Sequence, residues 1–173
     1  ITHFFNTPRY MKLVEIISSS ITNLDMVNYT DYFLNEILGK NVVHAKDTPN
    51  FIANRIGVYG MMVTLHESQK RNLSIEDVDS LTGTLIGRPK SATFRTADVV
   101  GLDTMCFVSK TAYDKCTDDP EREIFKLPEY INTMVDNNWL GQKSKQGFYK
   151  KIDKGVIHSL DLKTLEYKPM KKK

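Results

Sequence analysis

Over the first 46 positions the apolar residues come in short runs, and after that they recur at helical spacing. Ile1–Phe5 (ITHFF) reads as a strand that Asn6 and Pro8 interrupt as turn residues. Residues 12–18, KLVEIIS, form a second β-branched run, close enough to the first to pair with it in antiparallel fashion. A helix is expected to start at Thr22, with Asp25 as its capping-box partner. Met26, Tyr29, Phe33 and Ile37 follow on one stripe, and Gly39 ends it. NVVHA, residues 41–45, is a third short strand. The resulting β-β-α-β order is too small to stand as a domain and reads as the end of a larger α/β sheet.

From Pro49 onward the pattern is helical. Pro49 suits a first helical turn, and the helix it opens is expected to reach Arg71. Ile52, Ile56, Tyr59 and Val63 make one stripe, and Phe51, Val58, Met62 and Leu65 an adjacent one. So broad an apolar face predicts burial on more than one side, within a bundle or at a subunit interface. Ser74 with Asp77 caps a helix over SIEDVDSLTGTLI, and further helices are expected over 93–99 and 104–116 and from Pro128. LGQKSKQGFYK is a loop closing on Phe148 and Tyr149, and the alternation in GVIHSLDLKTLEYKP predicts a final hairpin turning near Asp161–Thr164.

Composition narrows the function classes. With 173 residues the chain is one domain or two small ones, and its 40% hydrophobic content is enough for a core. A net charge of +3 gives no electrostatic case for nucleic acid, and the one basic run, Lys171–Lys173, reads as a solvated tail or linker. Cys106 and Cys116 lack metal-ligand spacing, so free thiols are expected and a zinc site is not. No apolar run approaches the roughly 18–20 residues of a membrane span. Residues 1–17 lack the features of a signal peptide. A cytoplasmic protein is expected.

Two places carry candidate chemistry. Glu15 lies inside LVEII, where an unpaired carboxylate is costly, and His3 on the neighbouring strand is a candidate partner. A His beside a carboxylate is either a base with its orienting group or a structural ion pair, and spacing alone does not separate the two. Asn54, one turn into the long helix, either caps a backbone group or points into a ligand cleft. His44 and His66 read as locally satisfied, and His158 as a surface residue. No GxGxxG or GxxxxGK[ST] stretch is present, so a phosphate cradle is lacking.

Four collinear stretches carry a resemblance. HFFNTPRYMKLVEII, GKNVVHAKDTPNFIANRI, EDVDSLTGTLIGRPKSATFRTADVVGLDT and GQKSKQGFYK together resemble the 3-hydroxyacyl-CoA dehydrogenases of fatty-acid β-oxidation across roughly residues 1–150. The resemblance implies a mainly α fold: a helical C-terminal dehydrogenase domain, like that of 6-phosphogluconate dehydrogenase, preceded by a short β-β-α-β remnant of a Rossmann-type NAD domain. The implied divisions are 1–47 for that remnant, 48–150 for a helical substrate and dimerisation domain, and 151–173 for a tail or connector.

The resemblance also implies NAD as cofactor, an acyl-CoA substrate and a homodimer. His3 matches the family's general base and Glu15 the carboxylate that orients it. Asn54 matches the substrate-side Asn, Asn6 the residue near the nicotinamide, and Lys143 a cofactor-approaching Lys. Departures are Thr7 for Pro, Asn50 for the Gly of PGF, and Lys145 for the first Gly of G.GFY. Asn is the residue after Gly that best tolerates a positive φ.

The tail is similar to the connector that leads into an enoyl-CoA hydratase domain in bifunctional members. On this reading the nucleotide-binding loop lies upstream, and the isolated chain is inactive. Two rivals remain. One is a dehydrogenase of small hydroxy acids, against which the His–Glu pair counts because several such families use a lysine. The other is a non-catalytic dimerisation or acyl-CoA scaffold module.

Overall fold

The computed structural model describes residues 1–170; Lys171–Lys173, read above as a solvated tail, lie outside them. The chain divides into two compact units, Ile1–Arg55 and Ile56 onward.

In the first unit β1 (Thr2–Phe4), β2 (Leu13–Ile17) and β3 (Asn41–Ala45) form one sheet in that order. β1 runs antiparallel to β2, and β2 runs parallel to β3. A parallel pair needs a crossover, and α1 (Leu24–Tyr32) with its π-helical extension Phe33–Ile37 supplies it. Strand alternation sets the faces. Val14 and Ile16 pack with Leu34, Val27 and Val42. Glu15, between them in sequence, points to the opposite face.

The helix starts one residue later than the expected capping box. Asn23 is the cap and accepts from the backbone N–H of Asp25 and Met26, while Thr22 Oγ1 accepts from Ser19 N instead. The Met26, Tyr29, Phe33 and Ile37 stripe that marks the helix is exposed, because Val27 and Leu34 take the sheet side. Gly39 ends the run at φ +61°, as expected.

The long helix α2 spans Ala53–Lys70, so Pro49 lies ahead of it rather than in its first turn. Asn50 and Phe51 both take left-handed φ, +63° and +51°, and turn the chain into the helix. Asn50 therefore does replace a Gly where positive φ is required. Only one face of α2 is buried, through Val58, Met62, Leu65 and Ser68; Ile56 stays 67% exposed.

In the second unit these residues join a core with α3 (Ile75–Leu81), α4 (Phe94–Val100), α5 (Leu102–Lys115) and α6 (Glu129–Asp136). α3 is capped by Ser74 as expected but ends at Leu81, and Thr84–Ile86 is a separate 3₁₀ turn. α4 begins without a local side-chain cap. Asp79 of α3 accepts from the amides of Thr93, Phe94 and Arg95 at 3.1, 2.7 and 3.2 Å, and from Tyr149 Oη at 2.8 Å.

The final hairpin exists as β5 (Val156–Leu160) and β6 (Tyr167–Pro169), and β4 (Tyr149–Asp153) adds a third antiparallel strand that the alternation did not suggest. Leu160 and Phe148 are fully in the core, and Tyr167 packs against it, so residues 151–170 are built into this unit.

The GQKSKQGFY loop is shaped by Asp98. This buried residue of α4 accepts from Phe148 N at 2.8 Å and Tyr149 N at 2.9 Å. A Cβ on Gly147 would lie 2.1 Å from its Oδ1, and one on Gly141 2.3 Å from its backbone oxygen, so both glycines answer to close approach.

Burial raises the Asp98 carboxyl from 3.8 to about 6, against the pull of the two amides. The folded state therefore binds a proton that the unfolded chain releases. The associated stability is present below pH 3.8 and is lost as pH rises through about 6. Between pH 7.5 and 4.5 the chain gains about 2 kcal/mol relative to an Asp98→Asn variant, in urea unfolding followed at both pH values.

Candidate active site

Register brings the first candidate pair together. His3 and Glu15 are direct partners across β1 and β2. His3 Nδ1 donates to Glu15 Oε2 at 2.7 Å; the His side chain is 25% exposed and the Glu 1%. A carboxylate can only accept, so Nδ1 is the donor of this bond, and Nε2 makes no hydrogen bond among the described residues. The imidazole contacts two rings, Phe5 at 4.5 Å and Phe51 at 5.6 Å between centroids.

The other oxygen of Glu15 explains its burial in a central strand. Oε1 accepts from Ile52 N at 3.0 Å and Ala53 N at 2.8 Å. These are orphan donors at the start of α2, where the helix dipole also favours an anion. Glu15 thus caps a helix that begins 38 positions later in the chain. With His3 on one oxygen and two amides on the other, the carboxylate is fully satisfied.

Asn54 follows Ala53 in the first turn of α2, and is half-buried. Its carboxamide makes no hydrogen bond among the described residues. Asn6, just past β1, is exposed and likewise unengaged. Lys143, on the 3₁₀ turn Gln142–Ser144 of the second unit, has its ammonium on the Asp103 carboxylate, which lowers the Asp103 pKa.

The remaining histidines are occupied or peripheral: His44 pairs with Asp31, His66 Nε2 with Ile124 O at 3.0 Å, and His158 is half-buried on β5. Both cysteines are free, and burial pushes the Cys106 thiol up to about 11, away from reactivity. No described helix is long and apolar enough to cross a membrane.

Sequence reasoning missed the two amides on Glu15 and the rings on His3. The amides carry no residue signature. Phe5 and Phe51 did leave one, as aromatic residues flanking the motif residues.

Removing one partner from a buried charged network costs more than removing an exposed pair. Glu15→Ala leaves two part-buried amides without their acceptor and lowers unfolding free energy by about 1–3 kcal/mol. Glu15→Gln keeps an acceptor for those amides and costs less than half as much. Urea unfolding of the two variants checks the order.

Residues 51–151 match the family model described as 3-hydroxyacyl-CoA dehydrogenase, C-terminal domain, and residues 1–48 the one described as 3-hydroxyacyl-CoA dehydrogenase, NAD binding domain. A probable 3-hydroxyacyl-CoA dehydrogenase of Bacillus subtilis is 54% identical over 96% of this chain and 21% of its own length. A putative fatty acid oxidation complex trifunctional enzyme of Rickettsia prowazekii is 32% identical over 99% of this chain and 24% of its own. Among solved structures, M. tuberculosis FadB2 superposes with a TM-score of 0.78 at 28% identity, over 87% of this chain and 51% of that one. The (S)-3-hydroxybutyryl-CoA dehydrogenase PaaH1 of Ralstonia eutropha gives 0.72 at 29%, over 84% and 50%. The chain thus spans between a fifth and half of the length of the relatives it matches.

Proposed function

The chain belongs to the 3-hydroxyacyl-CoA dehydrogenase family, and from that premise we propose that His3 and Glu15 are the catalytic dyad of an NAD-dependent (S)-3-hydroxyacyl-CoA dehydrogenase of fatty-acid β-oxidation. The observation that carries the reading is the 2.7 Å contact of His3 Nδ1 with the buried Glu15 carboxylate, which leaves Nε2 without a partner among the described residues and open to a substrate hydroxyl. It accepts the proton of the substrate's 3-hydroxyl while hydride leaves C3. Glu15 stabilises the imidazolium that forms. In the reverse direction the same imidazolium protonates the ketone oxygen.

NAD, when bound, supplies the hydride acceptor. The residues present fit only its nicotinamide end, where the unengaged carboxamide of Asn6 offers both a donor and an acceptor; no residue run here forms a phosphate cradle. Lys143 is the second proposed cofactor contact, and its ammonium is paired with the Asp103 carboxylate. Asn54, with a free carboxamide beside the Glu15-capped turn, is the residue that holds the substrate's reacting carbonyl. We read the chain as the portion of a longer cytoplasmic enzyme that carries the dyad, and as inactive on its own for want of the cofactor's phosphate site. The fatty acid oxidation named for the Rickettsia relative supports the pathway assignment.

The test uses the full-length enzyme, with NADH oxidation followed on acetoacetyl-CoA. His3→Ala lowers turnover by about a hundredfold or more at similar NADH affinity. Equal rates would remove His3 from the mechanism, and an inactive wild type would favour a scaffold role.

We further propose a homodimer through the second unit. Leu85, Ile86, Val99, Val100 and Phe107 are each 48–74% exposed, apolar area that association would remove from water. Sedimentation equilibrium of the chain gives twice the monomer mass, and Phe107→Glu shifts it toward the monomer.

A further inference from the structure

We propose that Phe51 is a positioning residue for the dyad, acting on both of its members at once. The proposal rests on the dyad reading and goes beyond it, since Phe51 contributes no reacting atom.

Phe51 sits at φ +51°, a conformation that bulky side chains rarely adopt, directly after Asn50 at +63°. The Phe51 amide donates to Thr48 O at 3.0 Å. What the conformation achieves lies on either side of it. The two amides that follow, Ile52 and Ala53, are turned together onto Glu15 Oε1. The side chain is turned onto the His3 ring, at 5.6 Å and 57°, and Phe5 makes a second ring contact at 4.5 Å and 55°.

One strained residue thus fixes the carboxylate through the backbone and the imidazole through its ring. Rotation of His3 about its ring axis would break the Nδ1–Oε2 bond, and the two flanking rings oppose that rotation. Backbone strain that persists at a functional group, held by its surroundings, points to a positioning role.

Phe51→Leu separates the two effects, because leucine keeps the left-handed strain and the volume but removes the ring. The readout is the tautomer of His3, from imidazole nitrogen shifts of the ¹⁵N-labelled chain at a pH where the ring is neutral. The wild-type ring is in the Nδ1–H form. Phe51→Leu moves the tautomer ratio toward Nε2–H by at least about tenfold, while Phe51→Tyr stays within about twofold of wild type. Amide exchange at Val14 and Ile16 of β2 serves as the control for folding and is unchanged in both variants.

An unaltered ratio in Phe51→Leu overturns the proposal and leaves the dyad standing. Faster exchange at Val14 and Ile16 alongside the tautomer change overturns it too, since Phe51 would then merely hold the unit together. A wild-type ring already in the Nε2–H form overturns the dyad reading itself.

Discussion

A carboxylate inside a central strand is the constraint on which the first unit depends. Glu15 lies in LVEII with almost no solvent, and its desolvation is tolerable only because every lone pair that needs a donor has one. Those three donors come from two separate pieces of chain: the ring of a residue on β1 and two amides of the segment after β3. Register, crossover and turn must all be right for the charge to be satisfied. The unit therefore has one arrangement in which the buried Glu15 meets all its donors, and that arrangement is also the one that leaves His3 Nε2 without a partner among the described residues. Stability and proposed catalysis rest on the same hydrogen bonds.

The second unit uses the same device without chemistry. Asp79 caps α4 from another helix and takes the Tyr149 hydroxyl as well, and Asp98 gathers the amides of Phe148 and Tyr149. In each case a side-chain carboxylate far along the chain supplies what a local Ser, Asp or Asn cap would otherwise supply. The loop over Asp98 then has no room for side chains at Gly141 and Gly147, whereas Lys145 between them takes a left-handed φ of +60°.

Such remote caps mark the boundary of what the sequence made legible. Three strands of the first unit, the capped α3, the turn at Gly39 and the closing hairpin were readable, because alternation, Ser74 and Gly39 act locally. The starts of α1 and α2 were not. Asn23 competes with Thr22 as a cap over a one-residue difference, and α2 begins at Ala53 because Glu15 meets its amides there, not because of Pro49. Helical spacing also misled about faces. Met26, Tyr29, Phe33 and Ile37 form a correct period on the wrong side, since periodicity fixes that a stripe exists and only the sheet decides which stripe is buried.

The candidate site divides along the same line. His3 and Glu15 could be paired from sequence because both sit on strands whose register follows from alternation, and an apolar run makes an unpartnered Glu conspicuous. Asn54 was ambiguous because an Asn in a first helical turn has two uses; the capping use is excluded here since Glu15 already holds the amides of Ile52 and Ala53. That displacement supports the proposal that Asn54 meets the substrate. A helix start capped by a distant carboxylate leaves its own polar side chain uncommitted, and an uncommitted carboxamide one residue from the dyad's anchoring amide is available to a carbonyl oxygen at the cost of little reorganisation.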